Sequence, residues 1–328
     1  MPPWVERPTV AIDLARVRRG EPLELPPDAV AGSRALLGEV MAMIPSKARV
    51  LAYLLALRTG NRFGREFKAA ARLINGDPRD IALANLSYDL VVGALGCSTI
   101  VLPTADGPVI ARNMDWWPEG PLANASYVIR CLDDGVWKFS SAEFPGAVGV
   151  VTGLSSRGFA VILNAVISPD PVCKTGYPVL LHLRRVMEDA DDFADALAML
   201  SKQRLTTSGL FTLVGIKNEE RVVVERTPKR HIHRWPRPGE PLLTTNDYRL
   251  LDQRPGDDAW SLGQTSCGRY DRLWHLATRR PANQPTTDEE LLYWLSDDEV
   301  RQEITAQHVL IRPALGEMKL FVPRYLIA

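Results

Sequence analysis

Cys97 is followed 15 and 18 positions later by Arg112 and Asp115, and a short polar turn between two apolar runs would fold those positions back beside it. A guanidinium near a thiol raises the thiolate fraction, and a carboxylate can hold and orient an amine. A nucleophilic cysteine usually takes its base from a histidine. The chain has five, at His182, His231, His233, His275 and His308, and none has a neighbouring third group to orient it. A second route needs no histidine. The α-amine of a chain that begins with its nucleophile has a pKa of about 7.7 to 8, close to working pH. That route requires cleavage before Cys97. Gly96, directly before it, leaves its carbonyl unhindered and its backbone free to adopt a strained conformation. Taken singly, a cysteine in an apolar strand is more often a small buried filler, and an Arg/Asp pair more often a surface ion pair. The three together on one hairpin point to chemistry.

The elements that would position them change in texture at Cys97. Before it the chain reads as helical, with apolar residues at helical spacing over Leu36–Ile44 and Arg49–Gly60 and a helix restart at Asp77-Pro78. After it strands are predicted at Cys97–Leu102 and Pro108–Arg112 around the turn Thr104-Ala-Asp-Gly107. More follow at Ser126–Cys131, Val136–Phe139, Ala147–Thr152 and Phe159–Leu163, then helices at Val179–Glu188 and Asp192–Leu200. Strands resume at Leu210–Ile216, Arg221–Glu225 and Leu242–Thr244, helices at Arg269–Ala277 and Asp288–Leu295, and a last hairpin pairs Ala306–Arg312 with Met318–Val322. Blocks of strands and helices in that order predict an α+β sandwich rather than alternating βαβ units.

The bulk properties narrow the partners. With 39 basic and 39 acidic residues the net charge is zero, so no field favours nucleic acid or an anionic membrane. The most apolar run, Ala48–Leu57, is about half a membrane span, so no transmembrane segment is expected. Met1-Pro-Pro-Trp-Val-Glu-Arg-Pro lacks the layout of a secretory signal, and a cytoplasmic protein is expected. Cys97, Cys131, Cys173 and Cys267 are too few and too scattered for a disulfide framework or a metal pair.

Cys97-Ser-Thr-Ile-Val followed by Ala-Arg112-Asn-Met-Asp115-Trp resembles the start of the mature chain in the choloylglycine hydrolase family of N-terminal-nucleophile (Ntn) hydrolases. Pro8-Thr-Val-Ala-Ile-Asp-Leu, Asp80-Ile-Ala-Leu-Ala-Asn-Leu-Ser-Tyr-Asp-Leu and Gly146-Ala-Val-Gly-Val-Val-Thr-Gly-Leu resemble its acid ceramidase and N-acylethanolamine acid amidase branch. The resemblance implies a four-layer αββα sandwich with an N-terminal helical pro-segment. It makes Cys97 the nucleophile, Arg112 the thiol's cationic neighbour and Asp115 the partner of the α-amine. Asn246, in Leu243-Thr-Thr-Asn-Asp-Tyr, and Asn164, in Val161-Ile-Leu-Asn, would hold the oxyanion, and Arg269 would be a second active-site arginine. The chain departs from that branch at Ala165, where a glutamate stands in the relatives, and at Asp257-Asp258-Ala259-Trp260, where they carry an Asp-Asp-Arg-Arg run.

The reading that results is a pro-segment of residues 1–96, cut from a catalytic domain of residues 97–328 and retained as a small subunit. The activity expected is hydrolysis of a linear amide in a small N-acyl compound through a thioester, with no metal or organic cofactor; a homo-oligomer is compatible with the sequence. Trp116, Trp117 and the Phe144/Phe159 neighbourhood would line an acyl pocket. The alternatives are an acyltransferase using the same thioester with an amine acceptor, and a silent, uncleaved lipid-binding homologue.

Overall fold

The computed structural model describes residues 2–43, 58–86, 88–89, 96–252, 262–280 and 286–327. Two facing sheets form its centre. The strands β3 (Gly96–Leu102) and β4 (Val109–Asp115) are buried at every position, as strands are when both faces are covered. They lie in a six-stranded sheet of order β1 (Trp4–Glu6), β14 (Glu317–Pro323), β13 (Thr305–Arg312), β4, β3, β12 (Leu242–Thr244). The second sheet has eight strands, in the order β11 (His231–Arg234), β10 (Arg221–Arg226), β9 (Gly209–Val214), β8 (Phe159–Asn164), β7 (Thr152–Ser155), β6 (Val136–Glu143), β5 (Tyr127–Asp133), β2 (Thr9–Asp13).

Side-chain alternation builds the layers. Val101 and Ile110 point between the sheets, onto Ala160, Ile162 and Leu210. Their neighbours Ile100, Leu102 and Ala111 point the other way, onto helices α8 (Leu262–Arg279) and α9 (Asp288–Leu295) through Leu273, Leu291 and Leu295. On the outer face of the eight-stranded sheet, Val161, Leu163 and Leu213 meet α6 (Val179–Asp189) and α7 (Phe193–Lys202) through Leu183, Val186 and Leu200. The order helix, sheet, sheet, helix is the expected αββα sandwich. Among the described residues no helix is long and apolar enough to cross a membrane.

Residues 1–96 are less purely helical than predicted. They supply α1 (Leu14–Arg19), α2 (Pro27–Met43), α3 (Gly64–Ile74) and α4 (Pro78–Ala84), but also an edge strand to each sheet. β1 pairs with β14 from Trp4↔Pro323, and β2 pairs in parallel with β5 from Thr9↔Val128. Neither strand has a pattern strong enough to announce itself; pairing to an existing edge decides their conformation. Most of the helix expected over Arg49–Gly60, up to residue 57, lies outside the described residues. The start of α4 is as predicted, with the Asp77 side chain accepting from Arg79 N at 2.8 Å and Pro78 in the first turn.

One predicted strand is mostly loop. Within Ala147–Thr152 only Thr152 belongs to a strand. The backbone donors that a ladder would use are taken elsewhere: Val148 and Gly149 donate to the Asn85 side chain, Val150 to Leu180 O, and Val151 to Glu143. Apolar composition alone cannot distinguish this arrangement from a strand.

Candidate active site

β3 and β4 pair in the register Gly96↔Asp115, Cys97↔Met114, Thr99↔Arg112, so the hairpin does bring all three chemical residues to one end. Parity then splits them. Cys97, Thr99 and Arg112 face the space between the sheets, whereas Ser98 and Asp115 face the α8 layer. The Cys97 side chain and its backbone nitrogen therefore meet different partners.

On the thiol side, Arg112 is fully buried and donates from Nη2 to Cys97 Sγ at 3.2 Å and to Leu163 O at 3.0 Å. Its Nη1 donates to Thr152 Oγ1, which fixes the guanidinium plane. On the backbone side, Cys97 N donates to Asn246 Oδ1 at 3.1 Å, and Cys97 O accepts from Arg269 Nη1 at 2.6 Å. Arg269, brought in by α8, also donates to Ser98 Oγ at 2.9 Å and to Asn246 Oδ1 at 2.7 Å. Asn246 is held in turn: its Nδ2 donates to Ala165 O at 2.8 Å and its backbone N to Ser266 Oγ at 2.8 Å.

Asp115 completes this side. It is fully buried, its Oδ1 accepts from Thr305 Oγ1 at 2.5 Å, and its Oδ2 has no hydrogen-bond partner among the described residues; Arg269 Nη1 stands 3.9 Å away. Burial pushes its carboxyl above the ordinary range, against the opposing pull of Arg269. Burial also lowers Arg269. Asp115 thus sets a buried carboxylate directly across the hairpin from Gly96.

Asn164 is placed one step away. At the end of β8 it accepts from Thr99 Oγ1 at 2.9 Å and donates to Thr244 O at 2.9 Å, tying the two sheets together beside Cys97 rather than bonding the cysteine itself. Trp116 and Trp117 continue β4 into a cleft. Its walls come from both parts of the chain: Leu36, Leu37 and Val40 from α2, and Met114, Phe144 and Leu180 from the sandwich. Phe159 is not among them and lies in the core under α6. Of the histidines set aside above, His182 and His308 are fully buried and burial pushes both down to about 3, so they are neutral at working pH. The Asp257–Trp260 stretch lies outside the described residues.

Several contributors were invisible in the sequence. Thr305, Ser98, Thr99, Thr152 and Ser266 are hydroxyls within or beside apolar elements, and only the pairing shows which site group each serves. Glu143 is another. It ends β6 in the wall of the cleft, 5% exposed, and accepts from Val151 N at 2.8 Å. Burial pushes its carboxyl up from 4.5 to about 7. Because the folded value lies above the unfolded one, the stabilising contribution is complete below pH 4.5 and is lost as pH rises through about 7. At 1.36 kcal/mol per pH unit this amounts to ~3 kcal/mol. Glu143→Gln, which does not titrate, should therefore gain stability relative to the wild type between pH 5 and pH 8, as measured by urea unfolding at each pH. A stability difference that stays constant with pH would show that Glu143 is solvated.

Residues 103–307 match the family described as acyl-coenzyme A:6-aminopenicillanic acid acyl-transferase. The matched stretch begins after Cys97 and contains Arg112, Asp115, Asn164, Asn246 and Arg269. An N-acylethanolamine-hydrolyzing acid amidase of Caenorhabditis elegans is 28% identical over 162 residues, 45% of this chain and 46% of that protein. An acid ceramidase of Balaenoptera acutorostrata scammoni is 23% identical over 293 residues, 79% of this chain and 69% of that protein. The chain thus spans about half the length of the first of these relatives. Among solved structures, the Caenorhabditis elegans N-acylethanolamine-hydrolyzing acid amidase ortholog superposes with a TM-score of 0.53 at 21% identity, over 66% of this chain and 93% of that one. The structural likeness is one of fold.

Proposed function

Because this chain belongs to the acyl-coenzyme A:6-aminopenicillanic acid acyl-transferase family, among the choloylglycine-hydrolase-like Ntn hydrolases, we propose that it is a self-processing cysteine amidase of small N-acyl compounds. The observation that carries the reading is the arrangement around Cys97: a buried guanidinium on the thiol and, directly across the hairpin from Gly96, a buried Asp115 carboxylate oxygen with no hydrogen-bond partner among the described residues.

In the precursor, the Cys97 thiolate attacks the Gly96 carbonyl and the peptide nitrogen leaves as an amine; water then cleaves the resulting thioester. Gly96 becomes a carboxylate, and Cys97 gains a free thiol and an α-amine. In turnover, the thiolate attacks the substrate amide, the oxyanion is held by the Asn246 side chain, and the α-ammonium gives its proton to the departing amine. An acyl thioester remains. Water attacks it, passes a proton to the α-amine and releases the carboxylic acid. Asp115 keeps the amine oriented through both steps, and Arg112 favours the thiolate.

The cleft supports an apolar acyl side, since Met114, directly across the hairpin from Cys97, is part of its wall. Each buried methylene contributes about 0.8 kcal/mol. In a series of N-acyl amides, kcat/KM should climb several-fold for every two carbons added until the cleft is filled, with smaller effects from the amine. A flat profile, with rates set by the amine, would move the specificity pocket to the other side of the scissile bond. Acyl transfer to an amine acceptor is a second reading, favoured by the description of the matched family. Adding amine acceptors at constant substrate separates the two: a transferase forms a new amide at the expense of free acid.

A further inference from the structure

The cleft is apolar except for two side chains, Asn85 and Glu143. Asn85 is spent. Its Oδ1 accepts from Val148 N and Gly149 N, and its Nδ2 donates to Ile81 O at 2.8 Å. Glu143 is half spent. Val151 N at 2.8 Å occupies Oε1, and among the described residues no other hydrogen bond and no ion pair is formed by the Glu143 carboxyl. Glu143 lines the cleft, and a ligand that filled the cleft would strip its free oxygen of water at a cost unless the ligand supplied a hydrogen bond in return.

We infer that Glu143 is a specificity-determining residue of the acyl cleft, and that the preferred acyl group carries a hydroxyl on its chain, placed to bond the free Glu143 oxygen. The inference rests on the amidase reading above for the identity of the cleft. Two observations choose a hydroxyl over an ammonium. Among the described residues the lining offers no second carboxylate to share a buried positive charge. Burial also raises Glu143 to about 7, so both of its protonation states are present near neutrality; a hydroxyl can donate to the carboxylate and accept from the acid, whereas an ammonium serves only the first. Arg112, on the Cys97 thiol, is close enough to bias the Glu143 carboxyl electrostatically. The hydroxyl therefore belongs nearer the carbonyl than the chain end. A purely structural role, capping Val151 N, would use one oxygen and leave no mark on selectivity.

The test compares ethanolamides of a single acyl length bearing no hydroxyl, or one at carbon 2, 3 or mid-chain, with the wild type, Glu143→Gln and Glu143→Leu. In the wild type, the best hydroxylated substrate should exceed the plain one about tenfold in kcat/KM. Glu143→Gln, which can still accept and donate, should keep a reduced preference, and Glu143→Leu should bring the ratio to about one. A structural role would shift all substrates together. An independent readout uses the Cys97→Ala chain, melted with a plain fatty acid or its hydroxylated counterpart: the hydroxylated acid should raise Tm more, and Glu143→Leu in that background should abolish the difference. Hydrolysis of plain and hydroxylated amides at equal rates, or a preference that survives Glu143→Leu, overturns the inference while leaving the amidase reading intact. If no amide is hydrolysed but the melting difference is found, the amidase reading fails and the role of Glu143 stands; if neither is found, both fall.

Discussion

The wild-type chain, once processed and denatured, should separate into fragments of about 11 and about 26 kDa, from scaling 36.4 kDa by 96/328, and Cys97→Ala should remain whole. The difference is all or none because the proposed cleavage has a single nucleophile. Among the described residues, Cys97 is the one cysteine whose thiol receives a guanidinium hydrogen bond; Cys131 is buried among apolar groups and burial pushes it up to about 12, where a thiolate does not form. Intact-mass spectrometry with sequencing of the larger fragment checks the outcome. A mature fragment that starts at any residue other than Cys97 removes the amine-based mechanism, and a wild-type chain that never cleaves leaves the silent lipid-binding alternative.

The same experiment run without denaturant should give one species. β1 and β2 would belong to the small fragment yet remain paired to β14 and β5 of the large one, so separation would have to break two sheet edges. Charge strengthens the seam. Arg184 of α6, 3% exposed, donates to Glu66 of α3 at 2.9 Å, and Arg62 reaches Glu188 at 2.7 Å.

The hairpin was legible because everything that defines it is local: two apolar runs, one polar turn, and three reactive residue types at spacings a turn can close. The sandwich followed from the order of strand and helix blocks, and its four layers from the family resemblance. What escaped was set by distant pairing. β1 and β2 are too short to declare themselves, and the loop over 145–151 is held by Asn85 and Glu143, residues that the sequence gives no reason to connect. The two asparagines show the limit within the site. Both were expected to hold the oxyanion, yet the fold sets Asn246 on the Cys97 nitrogen and Asn164 on the sheet-to-sheet link through Thr99 and Thr244.

That division leads to the second large effect. Asn246→Ala should lower kcat by about 10²–10³, the usual loss for one oxyanion donor, while Asp115→Asn should lower it through misdirection of the amine. The Asn246 side chain has two tasks that its two ends divide. Oδ1 accepts from Cys97 N and Arg269 Nη2, which positions the nucleophile; Nδ2 gives one hydrogen to Ala165 O and keeps a second for the oxyanion. Alanine removes both, so some loss of stability, on the order of 1–3 kcal/mol, should accompany the rate loss. Asp115→Asn is nearly isosteric and can still accept from Thr305, so its fold should persist. What it loses is the charge beside the new α-ammonium. Both variants should be assayed on the processed fraction, so that slow maturation is not mistaken for slow turnover, and with acyl chains of several lengths. A residue acting at the reacting carbonyl lowers every substrate by the same factor, whereas a residue of the cleft changes the ratio between chains. Unchanged turnover in processed Asn246→Ala would take that asparagine out of the site, and a chain-length-dependent loss would reassign it to the cleft wall.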